Sequence, residues 1–383
     1  YPPEPAPDPL LCWLWLAHVL GPASPHAGRV LDAFGGAQEA WEARDTAEFR
    51  QAAGPTAAKR AGQLVPEQFR ALARRCAALR VCILPFDDPD YPLAFSRIPD
   101  MPLVLYCTGD PVWLNEPGAV GIVGSRKPTD YGLQAAADIG EALARSGALI
   151  VSGLADGLDS EAHRAAVQAD VPTIAFLGTA IDKTYPASNA KLRTAIEKGG
   201  GAVCSEYPPG YTGRTTGTFL ARNRLIAGLS EVLCVAEARI RSGTLNTVSH
   251  AESLGRPVLA VPGSIYSALS EGTNELLRTH RAEPLCKAAD ALDILGIGAE
   301  TAAPAQQRFD RAGAIGLCGG TNQPRRPGRL CGTGPHAQRR GRVGRCHRPV
   351  RQPGAGRLYR IGVVRRCTKS AGTALCRPVK YRV

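Results

Sequence analysis

Four short stretches of this chain gather residue types suited to holding phosphate. The first is Gly121-Ile-Val-Gly124-Ser125-Arg126. There Gly124 lets the backbone turn closely, Ser125 offers a hydroxyl and an amide, and the Arg126 guanidinium presents a fork of donors. The second, Ser152-Gly153-Leu-Ala-Asp156-Gly157-Leu-Asp159, supplies glycines and a helix cap. The third, Phe219-Leu-Ala-Arg222-Asn223-Arg224, sets an aromatic ring beside two cations and an amide. Such a ring can stack on a nucleobase for roughly 1–3 kcal/mol while arginines contact the backbone. The fourth, Arg241-Ser242-Gly243-Thr244, is a turn whose N–H groups face an anion at the positive end of a helix. Each stretch also has a plainer reading: a tight turn, a capped helix, a packed Phe219 or a solvated arginine pair.

Other chemistries find less support. The dinucleotide fingerprint G-x-G-x-x-G is missing, because Arg126 stands where its final glycine belongs and no acid ends the second strand to take a ribose hydroxyl. No NAD(P), and no other cofactor, is expected. His163 and His250 lie in helical stretches without Cys or acids at zinc spacing, so no metal is expected either. There is no G-x-S-x-G elbow. Glu206 and Asp159 are isolated acids, which usually cap or solvate. A binding protein is expected rather than an enzyme.

Those four stretches need a scaffold that brings them to one place. Short apolar runs at Ala119–Val123, Ala148–Ser152, Pro172–Leu177, Ala202–Cys204, Val232–Ala236 and Pro257–Val261 read as strands, and Pro102–Tyr106 reads as another. Helical patterns separate them at Tyr131–Ser146, Ser160–Ala169, Ser188–Lys198, Ala221–Leu229 and Thr244–Leu254. Buried strands alternating with helices of this length predict an α/β fold with a doubly wound, Rossmann-like parallel sheet. Ligands of such sheets sit at the carboxyl ends of the strands, so the four stretches should converge at one edge. Ahead of the sheet, residues 1–84 read as a small all-α domain of four or five helices, and 85–297 as the α/β domain.

The net charge of +12 invites a nucleic-acid reading but is unevenly spread. Residues 301–383 carry 17 Arg and 2 Lys against one acid, a net +18, which leaves residues 1–300 at −6. Any nucleic-acid site in the body must therefore be a local patch. Only 13 of the 83 residues in 301–383 are Leu, Ile, Val or Phe, so residues 298–383 read as a basic, disordered tail. The abrupt change of composition reads as a shifted reading frame in a GC-rich gene, or else as a genuine basic arm. Seven Cys precede residue 300, each single within apolar text and with no C-x-x-C, which suits a reduced, cytoplasmic protein. The apolar stretch Leu10–Leu20 contains His18 and is far short of the roughly 20 residues of a bilayer span, so no membrane segment or signal peptide is expected.

The segments GIVGSRKPTDYG, VSGLADGLDSEAH, AFLGTAIDKTYP, SEYPPG, FLARNRLIAGLS, EARIRSGTLNT and AVPGSIYS follow one another in an order and spacing that resembles the DprA/Smf family. The likeness runs from about Leu10 to Ile297 and is densest from Ala119 to Ser264. It implies a homodimeric protein of natural transformation that binds incoming single-stranded DNA, shields it and helps load the RecA recombinase. On that resemblance Gly124, Ser125 and Arg126 match a phosphate contact, and Phe219, Arg222, Asn223 and Arg224 match an aromatic and basic strand-binding segment. Ser242, Gly243 and Thr244 match the family's SGS/SGT turn, Gly153 joins the site, and Lys183 and Lys191 add weaker backbone contacts. Leu220 stands where the family often has Pro. The N-terminal helices resemble a sterile-alpha-motif-like or helix-hairpin-helix module, whose turn here reads Gly21-Pro22-Ala23 instead of G-x-G. The basic tail occupies the place of a winged-helix domain found in many relatives. Two rival functions stay open. One is a phosphoribohydrolase-like nucleotide enzyme, which shares a Gly-Thr turn such as Gly243-Thr244. The other is a scaffold that binds RecA without DNA.

Overall fold

The computed structural model describes residues 7–213 and 215–297, and two strands further on. Helices come first: α1 (Pro9–Leu20), α2 (Ala27–Phe34), α3 (Ala37–Glu42), α4 (Ala47–Ala53), α5 (Pro55–Ala61) and α6 (Arg70–Ala78). The stops fall where the sequence places glycines, with Gly21 closing α1, Gly35 closing α2 and Gly54 between α4 and α5. Their core is aromatic. Trp15 is buried, meets Trp41 edge-on at 5.1 Å and donates its indole N–H to the Leu64 carbonyl at 3.0 Å. At about 25 cal/mol per Å², a buried ring of this size contributes roughly 4–6 kcal/mol.

Then follow β1 (Cys82–Pro85), β2 (Val104–Gly109), β3 (Ala119–Val123), α7 (Asp130–Arg145), β4 (Leu149–Ser152), α8 (Leu158–Gln168), β5 (Thr173–Leu177), α9 (Ala190–Lys198) and β6 (Ala202–Ser205). The second half of the sheet is carried by α10 (Thr216–Leu229), β7 (Val232–Val235), α11 (Gly243–Ser253), β8 (Val258–Ala260), α12 (Glu271–Arg278), β9 (Glu283–Pro284) and α13 (Ala288–Leu295). Nine strands form one sheet in the order β1-β2-β6-β5-β4-β3-β7-β8-β9. Pairing is parallel from β6 to β9, and β1 and β2 add an antiparallel edge.

Strand alternation builds two cores. Val120, Ile122, Ile150, Val232 and Cys234 face one hydrophobic cluster with residues of α7, α8 and α13. Their neighbours Val123, Leu149, Val151, Leu233 and Val235 face the other, which contains residues of α10, α11 and the N-terminal helices. A sheet covered on both sides needs apolar residues at every strand position, and this is why its strands read as continuous runs. The α/β class is therefore as the sequence predicts.

Several features differ, and α12, β9 and α13 stand beyond the last expected strand. β1 was not among the predicted strands, because four residues between a helix and an Asp-rich turn carry no periodic signal. α10 begins at Thr216, five residues ahead of the predicted Ala221, because Thr215 and Thr218 cap each other reciprocally and start the helix across an unfavourable Thr-Gly-Thr run. In the tail, β10 (Val363–Thr368) and β11 (Leu375–Lys380) pair antiparallel. The rest of 298–383, and with it the expectation of disorder, lies outside the described residues.

Candidate nucleic-acid interface

The chain enters the parallel sheet at β3, fills β4, β5 and β6 on one side, and returns to fill β7, β8 and β9 on the other. The loops after β3 and β7 therefore leave in opposite senses, and a crevice opens between them at the carboxyl edge. The crevice, of about 510 Å³, is lined by Gly124, Ser125 and Arg126 after β3, by Arg239, Ser242, Gly243 and Thr244 around the start of α11, and by Thr215, Thr216, Phe219, Leu220 and Asn223 of α10. Tyr185, from the loop after β5, closes it.

Sequence and packing fix the Gly124–Arg126 loop. A Cβ at Gly124 would run into Leu158 and the Glu237 carbonyl, so only glycine lets α8 and the end of β7 close around it. The Ser125 N–H donates to the Glu237 carbonyl at 2.8 Å. The buried Glu237 carboxylate in turn accepts from the Thr129 N–H at 2.9 Å and the Thr129 hydroxyl at 2.8 Å. Thr129 is itself the N-cap of α7, so Glu237 holds both ends of the turn, Ser125 through its carbonyl and Thr129 through its carboxylate. This leaves Arg126 exposed at the rim, with its guanidinium 5.2 Å from the centroid of Phe219.

Phe219 is half-buried, its ring pressed against Gly178 at the end of β5 and paired with Tyr185 at 5.3 Å between centroids. Arg126, Phe219 and Tyr185 thus make one cation–π and aromatic cluster. Next to it, the Ser242 hydroxyl is buried without a hydrogen-bond partner at the N-cap of α11. Asn223 donates from its amide to the Gly243 carbonyl at 3.2 Å and to Asn246 at 3.3 Å, which holds α10 against that turn. The positive ends of two helices and the guanidiniums of Arg126 and Arg239 therefore share one opening, a local cationic patch on a body of net charge −6.

Two arginines expected to hold the strand have other partners. Helix geometry rotates about 100° per residue, so Arg224 lies about 140° around α10 from Phe219 and faces away from the crevice. It is 1% exposed and pairs with Glu206 at 2.8 Å and with Asp100 at 3.1 Å. Arg222 is buried behind the crevice, donating to the carbonyls of Gly153 and Phe176, both at 2.5 Å. Burial lowers its pKa to about 10 against the opposing pull of Asp159. Gly153 serves this contact, since a Cβ there would strike the Arg222 guanidinium. Burial likewise raises the Asp159 carboxyl, opposed by Arg222 and Arg126. Lys183 and Lys191 are exposed, and neither lines the crevice.

Sequence reasoning missed Tyr185, Arg239 and Glu237. Tyr185-Pro186 after a parallel strand was a readable signal, since loops at that edge present their side chains to ligand. Glu237 gave none, because its partners lie in the turn between β3 and α7, far from it in the chain.

A family profile described as "DNA recombination-mediator protein A" matches residues 82–296. The chain belongs to the DprA/Smf family. A DprA relative from Mycobacterium tuberculosis is 36% identical over 296 residues, 74% of each chain. The solved structure of DprA from Streptococcus pneumoniae superposes with a TM-score of 0.63 at 30% identity, covering 73% of this chain and 96% of that one. DprA from Helicobacter pylori, whose structure is described in terms of its single-stranded DNA binding mode, gives a TM-score of 0.51 at 33% identity, covering 56% of this chain and 95% of that one. Among the described residues no helix is long and apolar enough to cross a membrane.

Proposed function

We propose that the crevice seats single-stranded DNA, and that this DprA/Smf protein acts as a homodimer that delivers the strand to RecA. The observation that carries the reading is the Arg126–Phe219–Tyr185 cluster beside the N-terminus of α11 and the unpartnered Ser242 hydroxyl. A ring offers a face to any base, while the guanidinium and helix amides take phosphates without reading sequence. The crevice lining holds no carboxylate, imidazole or thiol among the described residues, which favours binding over nucleotide hydrolysis. Release of free base from nucleoside monophosphates by the purified protein is the result that would restore the enzyme reading.

The test is fluorescence anisotropy of labelled oligo-dT across a salt series, with the full chain and with the chain ended after residue 300. Phe219→Ala should weaken binding about tenfold or more in both. Arg126→Ala should reduce the log–log salt slope by about 0.7, the loss of one neutralised phosphate. Unchanged affinity of both variants on the shortened chain would remove the crevice from the reading, and binding by the full chain but not by the shortened one would leave the basic tail as its source.

A further inference from the structure

Resting on the crevice as the strand's seat, we infer that the bound strand continues onto the loop after β8, where Tyr266 stacks on a base. Tyr266 is 94% exposed and its neighbour Ile265 is 81% exposed, well beyond every other exposed large apolar side chain described. Isolated exposed apolar residues are ordinary, but these two stand on a braced loop. Asn274 of α12 grips Gly263 twice, accepting its N–H at 3.1 Å and donating to its carbonyl at 3.0 Å. The Tyr131 hydroxyl donates to the Pro262 carbonyl at 2.7 Å. The Ser264 hydroxyl accepts from the Tyr266 N–H at 3.2 Å, and the backbone turns from Ser264 to Ser267 and from Ser267 to Ser270. A stacking ring held on a fixed turn loses little conformational freedom on binding.

Topology places this loop on the strand's path. β3, β7 and β8 are neighbours in that order and all parallel, so their carboxyl ends share one edge. At about 4.8 Å per strand, the end of β8 lies roughly 10 Å from the end of β3, within reach of the next one or two nucleotides. The crevice and the loop are also joined directly. The Gly272 N–H at the start of α12 donates at 2.8 Å to the carbonyl of Ala238, and Arg239 beside it lines the crevice. Exposed Arg239 and Arg241 lie along this stretch, giving the alternation of cations and aromatics that tracks a sequence-independent single strand.

Photocrosslinking of the full chain with oligo-dT tests this, using a single 5-iodouracil moved along the oligonucleotide. The expected result is an adduct on Tyr266 from positions a few nucleotides displaced from those that label Phe219 or Tyr185. Tyr266→Ala should lower affinity about tenfold for long oligonucleotides and leave short ones that fill only the crevice unaffected, and Tyr266→Phe should bind like the parent. Adducts at Phe219 or Tyr185 but none at Tyr266, with unchanged affinity of Tyr266→Ala, would overturn the extended path and leave the crevice intact. Adducts at neither place would overturn both. Altered sedimentation of Tyr266→Ala with unchanged DNA affinity would overturn it in favour of a contact between copies of the chain.

Discussion

At the scale of single residues, burial decides which polar groups face the crevice and which serve the fold. Arg126 and Arg222 are both arginines in family motifs, yet one is at the rim and the other feeds two backbone carbonyls. His163 is of the second kind, with Nδ1 at 2.9 Å from the Thr173 hydroxyl, Nε2 without a partner, and a pKa that burial, aided by Arg222, lowers to about 3. Unfolded, the same imidazole takes a proton near pH 6.5. Its contribution is therefore whole above that pH and falls as pH drops from 6.5 toward 3, by about 1.4 kcal/mol per unit. Between pH 6.5 and 4.5 the protein should lose about 2–3 kcal/mol more unfolding free energy than His163→Leu, measured by urea titration. Parallel losses would mean that His163 is not held neutral.

At the scale of elements, the crevice is a set of loops pinned in part by groups outside its lining. Glu237 is the central pin, joining β7 to the turn between β3 and α7. Replacing it with Gln keeps the volume and one acceptor but removes the charge that receives two donors, and a charge-assisted bond of this kind contributes about 1.5–3 kcal/mol. Glu237→Gln should weaken oligo-dT binding by loosening the Arg126 loop. In a double-mutant cycle it should therefore be non-additive with Arg126→Ala, by about 1 kcal/mol. Additive losses would separate Glu237 from the positioning of Arg126. The pin escaped the sequence reading because an acid just past a strand end looks the same whether it binds ligand or a neighbouring loop.

At the scale of the whole molecule, Arg224 and Glu206 join the helical N-terminal segment to the sheet. Glu206 accepts from Arg224 and also from the Ala23 N–H at 3.0 Å, so the Gly21-Pro22-Ala23 turn is docked onto the sheet through an amide that a phosphate would otherwise need. Removing one partner of a buried ion pair leaves an uncompensated charge and costs about 3–5 kcal/mol. Arg224→Met should lower unfolding free energy by that amount, with the paired change Glu206→Gln recovering part of it, as read from urea unfolding. An Arg224→Met protein of parental stability that binds DNA poorly would return Arg224 to the strand.

Local sequence sufficed for the helical start, the strands and helices from β2 to β8, the cationic and aromatic motifs, and the family. Those rest on local periodicity and on short runs whose chemistry is visible without partners. It placed Phe219, Arg126 and the Ser242-Gly243-Thr244 turn at one edge, because parallel strands send every such loop to the same side. Which arginines reach that edge was decided by tertiary structure alone. Arg222 and Arg224 differ from Arg126 in their neighbours, Gly153, Phe176, Glu206 and Asp100, and none of these is near them in the chain. A buried charge must find its partners wherever the fold brings them, and linear text does not record that.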